Sequence, residues 1–214
     1  MSDLTDAIKQ GDLARAAAIL EQDPGLVNEP EGTVSPLLLA VYHGKHDIAR
    51  LLVDRGAAVS FGEAVALGDG ERVRGMLAAD PSLLERRTPD GFPPVGLAIF
   101  FRNGALARWL IEQGADVSAA AENAQRVAPV HAAAAVCDRE TMRLLLERGA
   151  DPNARQQVDY TALHGAASRG DMEIARLLLA HGADRTAVGS DGMTIEAIAR
   201  KYGHPEFADW FATA

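Results

Sequence analysis

Cysteine occurs once in the 214 residues and aromatic residues make up only 5% of the chain. A single thiol excludes an intramolecular disulfide and fits a reducing compartment, so a cytoplasmic location is expected. No apolar run approaches the roughly 20 residues that a membrane helix needs. The opening residues, Met1 to Asp6, lack a charged segment followed by an apolar one, so no secretory signal is expected. A basic block is missing too, and the formal charge is −9. Nucleic acid and anionic membrane are therefore excluded as expected partners. The acidic balance favours solubility and only weakly a basic partner. Lysine is scarce beside arginine and alanine is abundant, the bias of a GC-rich bacterial gene. With so few rings, the core has to be built from Ala, Leu, Ile and Val, and a hydrophobic content of 48% is ample for that.

What the chain does have is a period of about 33 residues. Ser35-Pro36-Leu37-Leu38-Leu39-Ala40, Pro93-Pro94-Val95-Gly96-Leu97-Ala98, Ala128-Pro129-Val130-His131-Ala132-Ala133 and Thr161-Ala162-Leu163-His164-Gly165-Ala166 align with one another. Each leads to a closing Gly-Ala: Gly56-Ala57, Gly114-Ala115, Gly149-Ala150 and Gly182-Ala183. The T-P-L-H-x-A-like opening and L-L-x-x-G-A-D-x-N-like close resemble the ankyrin repeat. The resemblance covers nearly the whole chain. It implies an all-α solenoid of helix-turn-helix units with short β-hairpin fingers, in which each unit buries its apolar face against its neighbours.

Seven units are expected within one domain spanning 1–214: approximately 3–33, 34–60, 61–91, 92–126, 127–159, 160–192 and 193–214. Ser35 reads as an N-cap with Pro36 as the first helical residue, where a missing N–H costs nothing. Asp12 reads as the cap of the second helix in the first unit. Gly56 reads as a left-handed helix stop. The third unit departs from the pattern. Gly68 follows Gly44 by only 24 residues, and Val59-Ser60-Phe61-Gly62 runs almost directly into a helix, so the finger of this unit is absent. The third unit also resembles the first, through Gly11-Asp12 and Gly68-Asp69, then Asp23-Pro24 and Asp80-Pro81, which suggests duplication of a pair. Arg102 and Cys137 stand where siblings carry the turn glycine. Motif His is replaced by Leu38 and Gly96 in two units.

Reactive constellations are lacking. His43 and His46 flank Gly44, where a helix should end, so they would not share a face, and no third ligand is near in sequence. Gly68-Asp69-Gly70 with Gly75 lacks the strand and the Lys-Ser/Thr of a phosphate loop. Asp138 and Glu140 beside Cys137 should raise its pKa, which argues against a reactive thiolate. No Ser–His–acid arrangement can be proposed from spacing. The expectation is no enzyme, no cofactor and no metal. In the family, motif His131 and His164 tie adjacent hairpins together through backbone hydrogen bonds, and the same structural role is expected here.

The resemblance also implies which residues face the concave side, where ankyrin repeats usually grip partners. Three places per unit give Val34, Tyr42 and His43; Phe92, Phe100 and Phe101; Val127, Ala135 and Val136; Tyr160, Ser168 and Arg169; Met193, Lys201 and Tyr202. Six of the chain's few rings fall in this set. Rings are enriched among binding hot spots and are costly to expose. The expected partner-binding residues are Tyr42, His43, Phe92, Phe100, Phe101, Tyr160, Arg169, Lys201 and Tyr202. Since Phe100 and Phe101 are adjacent on one helix, at least one can turn into the core instead, and a Phe beside the absent third finger can simply fill the gap left there.

The function expected is therefore a non-catalytic, monomeric protein-interaction module, such as an adaptor or an immunity or inhibitor protein, holding another protein or a peptide. Two alternatives stand beside it. One is an enzyme or a small-ligand or metal binder with a cleft at the missing third finger, lined by Phe61, His43 and His46. The other is a self-assembling array with Trp210 and Phe211 as contacts, although these two rings are expected rather to seal the last helix pair.

Overall fold

Proline and hydroxyl caps set the helix starts. In the computed structural model, which describes residues 3–32 and 34–213, Ser35 accepts from the Leu38 amide and Pro36 opens the helix. Pro94, Pro129 and Pro205 stand in the first turns of other helices. The described residues contain fourteen α-helices and no extended strand. They are α1 (Asp3–Gln10), α2 (Leu13–Gln22), α3 (Pro36–Tyr42), α4 (His46–Asp54), α5 (Phe61–Leu67), α6 (Gly70–Ala79), α7 (Pro94–Phe100), α8 (Gly104–Glu112), α9 (Pro129–Val136), α10 (Arg139–Glu147), α11 (Ala162–Arg169), α12 (Met172–Ala180), α13 (Ile195–Lys201) and α14 (Pro205–Thr213). The class is all-α and built of helix pairs, as expected. The helices fall into two compact units, Met1–Leu83 and Leu84–Ala214.

In the first unit α1 pairs with α2, α3 with α4 and α5 with α6, while α1, α3 and α5 pack side by side. Its core is Leu4, Ile8, Leu20, Leu37, Ile48, Leu52, Val65 and Val73, with alanines between them. The missing finger is evident: α4 ends at Asp54 and α5 begins at Phe61. Phe61 is only 3% exposed. Glu63 stands in the motif-His place and is also buried. One carboxylate oxygen accepts from the Ser60 amide at 2.7 Å and the other from the Ser35 hydroxyl of the preceding pair. A carboxylate can only accept, so it links back to a hydroxyl where an imidazole would donate forward to a finger carbonyl.

In the second unit α7 pairs with α8, α9 with α10, α11 with α12 and α13 with α14. The inner helices α7, α9, α11 and α13 form one packed row, and α8, α10 and α12 an outer one. Alanine fills the inner row (Ala98, Ala133, Ala134, Ala166, Ala167, Ala199), which lets the helices approach closely. Phe207 and Phe211 close the core at α14.

The fingers are turns rather than ladders. Thr88 to Phe92, Gln156 to Tyr160 and Gly189 to Met193 are each closed by one backbone hydrogen bond. The expected β-hairpins reduce to isolated bridges, Glu31 with Val34 and Val188 with Thr194. Successive fingers of the second unit are joined by single amide–carbonyl bonds: Glu122 to Gly91, Gln157 to Gln125 and Ser190 to Val158. Gly91 is required there. Its φ is +86°, and a Cβ would lie 2.9 Å from the Glu122 carbonyl oxygen.

Candidate partner-binding groove

Each inner helix of the second unit begins just after a finger and ends at a turn, so residues at both ends face the same side. That geometry gathers Phe92, Phe100, Val127, Ala135, Tyr160, Ser168, Arg169 and Tyr202 around one groove of about 370 Å³. All eight belong to the positions expected from the repeat pattern. Phe92 and Phe100 approach to 6.4 Å between ring centroids. Phe100 is 54% exposed and Tyr202 56% exposed, so two large rings meet water.

Tyr160 is held in place. Its ring stacks on the His164 imidazole at 4.7 Å, nearly parallel. Its hydroxyl donates to Asp191 Oδ2 at 2.7 Å. Burial, and then the Asp191 carboxylate, push its pKa up to about 12, while the same bond holds Asp191 below the usual carboxylate range. Gly189 leaves room for the ring, since a Cβ there would come within 2.4 Å of Tyr160 Cε1.

His131 and His164 form the groove floor. The backbone amide of Ala128 can only donate, so the His131 Nδ1 at 3.1 Å from it must accept. The proton is then on Nε2, which donates to the Ala154 carbonyl at 2.9 Å. His164 repeats this with the Thr161 amide at 3.1 Å and the Met193 carbonyl at 3.4 Å. Burial lowers both pKa values. These imidazoles each tie a helix start to the next finger, the structural role expected of them.

The remaining expected residues lie elsewhere. Phe101 packs edge-on against Phe100 at 5.2 Å, half-buried, and does not line the groove. Of the adjacent pair Phe100 is the more exposed, and Phe101 is not part of the buried core. Lys201 Nζ stands 5.8 Å from the Tyr202 ring centroid. Tyr42 and His43 belong to the first unit, where Tyr42 is half-buried and His43 is the exposed C-cap of α3. Gln125 and Gln156 also line the groove. They escaped the sequence reading because polar finger residues carry no periodic signal.

Two expectations are corrected. Phe61 does not line a cleft at the missing finger, because with no hairpin above α5 its ring drops into the core. Phe211 is fully buried and Trp210 half-buried with the Arg176 guanidinium 5.0 Å above its ring, so the two rings pack into the last helix pair as expected rather than serving as assembly contacts. The Cys137 pKa is raised as expected, but burial is the main cause and the nearby charge responsible is Asp171. His43 and His46 are both exposed, one ending α3 and the other starting α4. Among the described residues no three His, Cys, Asp or Glu side chains gather as a metal requires. No helix among them is long and apolar enough to cross a membrane.

Repeated helix pairs, each opened by a finger-like turn, define a helical repeat protein. The model of the family "Ankyrin repeats (3 copies)" matches residues 130–214, and that of "Ankyrin repeat" matches 34–61, together just over half of the chain. The chain belongs to the ankyrin repeat family. Members are generally non-catalytic and usually bind proteins. No curated protein matches the chain.

Proposed function

We propose that this protein is a non-catalytic interaction module that holds a partner protein or peptide on the inner-helix face, with the groove of the second unit as the main docking surface. The observation that carries this is the pair of half-exposed rings, Phe100 and Tyr202, lining a groove that also holds Phe92 and Tyr160. A large ring buries about 150–250 Å². Covering the exposed half of each would then contribute about 2 kcal/mol. The clamped Tyr160 needs little ordering on binding, which limits the entropy cost. Arg169 and Lys201 orient the partner at the rim, with Phe101 as a further contact, while Tyr42 and His43 are proposed as contacts of the first unit's own face. An adaptor, or an inhibitor of one enzyme or toxin, fits such a surface.

The test is the double variant F100A/Y202A. Both side chains are exposed, so the melting temperature should stay within about 2 °C of the parent. The same variant should bind the purified physiological partner at least about tenfold more weakly. Unchanged binding would remove the groove from the interface, and a collapse in melting temperature would show that the rings serve the core.

A further inference from the structure

The chain carries 30 acidic residues, yet no Asp or Glu lines the groove. The one fully charged side chain that does is Arg169, the last residue of α11. Among the described residues its guanidinium makes no hydrogen bond or ion pair. Other arginines of the second unit differ: Arg139 pairs with Asp171 at 3.2 Å, Arg108 with Glu140 at 3.1 Å and Arg200 with Asp209. Lys201 adds a second cation beside the Tyr202 ring. Asp191, which accepts from the Tyr160 hydroxyl, stays charged and lies within electrostatic reach of Lys201. A strongly acidic protein thus lines an apolar groove with one unpaired cation, Arg169, and no carboxylate.

Two further groups face the same space. The side-chain amides of Gln125 and Gln156, on successive fingers, line the groove and make no hydrogen bond among the described residues. A side-chain amide offers donors and an acceptor, the complement of an extended peptide backbone.

Resting on the interaction reading above, we propose that the occupant is an extended peptide segment with a bulky apolar residue flanked by a carboxylate. The apolar side chain sits between Phe100, Tyr160 and Tyr202. The carboxylate meets Arg169. The peptide backbone runs past the Gln125 and Gln156 amides. The pairing is with an exposed guanidinium, so its share of affinity is modest and falls with salt, while its share of selectivity is larger.

The test is selection of a random-peptide display library on the full chain, repeated on R169E and on F100A/Y202A, with folding checked by circular dichroism. The wild-type chain should enrich peptides with Asp or Glu next to Phe, Leu, Met or Trp. On R169E the preference should move from acidic to basic residues with the apolar position kept. Replacing the acid by Lys in an enriched peptide should weaken its binding to wild type roughly three- to tenfold at low salt, less as salt rises. Enriched peptides without an acidic preference, or an unchanged consensus on R169E, would overturn the carboxylate assignment. If F100A/Y202A still loses those peptides, the groove survives as the docking surface. Peptides held equally by F100A/Y202A, or no enrichment on wild type, would overturn both readings.

Discussion

Val158 sits at a fingertip with φ of +62°, followed by Asp159 at +57°. Other fingertips of this chain place glycine in that region, at Gly32, Gly91 and Gly192. A β-branched side chain is poorly suited to the left-handed conformation, at a cost of about 1–2 kcal/mol. Val158 is 40% exposed and its carbonyl, not its side chain, bonds Ser190. Val158→Gly should therefore stabilise the fold by about 1 kcal/mol, read from denaturant unfolding. A second residue-scale effect comes from the buried imidazoles. His131 and His164 are driven below their ordinary value by burial, with backbone hydrogen bonds pulling partly the other way. The unfolded chain therefore takes up protons first. Their contribution to stability is complete above the unfolded pKa of about 6.5 and is lost as pH falls toward the folded values. The melting temperature should drop between about pH 7 and about pH 5. His131→Asn should lower it at pH 7 and flatten that decline.

At the scale of elements, the outer helices are clasped from one pair to the next through their caps. Asp171 accepts from the Glu173 and Ile174 amides at the start of α12 and takes an ion pair from Arg139 at the start of α10. Asp138 does the same for α10, with Arg108 of α8 at 3.7 Å. Asp171→Ala should cost about 1–2 kcal/mol, because the cap is lost. Asp171→Asn keeps an acceptor and loses only a pair whose arginine is exposed, so it should cost under about 1 kcal/mol. Thermal melts of the two variants separate cap from charge. The caps were legible in the sequence: Asp12, Ser35 and the Gly56 stop all fall where they were expected. The clasp was not, because arginine-to-aspartate pairing across repeats depends on side-chain reach rather than period. The missing finger was legible from spacing alone. Its consequence for Phe61 was open in the sequence between a cleft-lining ring and one that fills the gap, and only packing decides between them.

At the scale of the whole molecule, stability is local. Each helix pair in a repeat stack is held by its nearest neighbours, so damage at an end travels inward one pair at a time. Phe207 is 1% exposed and belongs to the last pair of the second unit. Phe207→Ala should cost about 3–5 kcal/mol. Hydrogen exchange should then show protection lost first in α13 and α14, next in α11 and α12, and least in α7 and α8. Simultaneous loss throughout the second unit would mean that it unfolds as one block. The groove was partly legible at this scale. Eight of its lining residues came from the repeat register, but which of Phe100 and Phe101 faces water depended on the path of α7 at its end.

Cys137 is an exposed residue that ends α9 in a left-handed turn, and it is the chain's lone cysteine. The unmodified protein therefore comes with a single chemical handle, two positions beyond the groove residue Ala135. Its elevated pKa means that maleimide coupling will go faster in mildly alkaline buffer. A dye attached there would report occupancy without any engineered mutation.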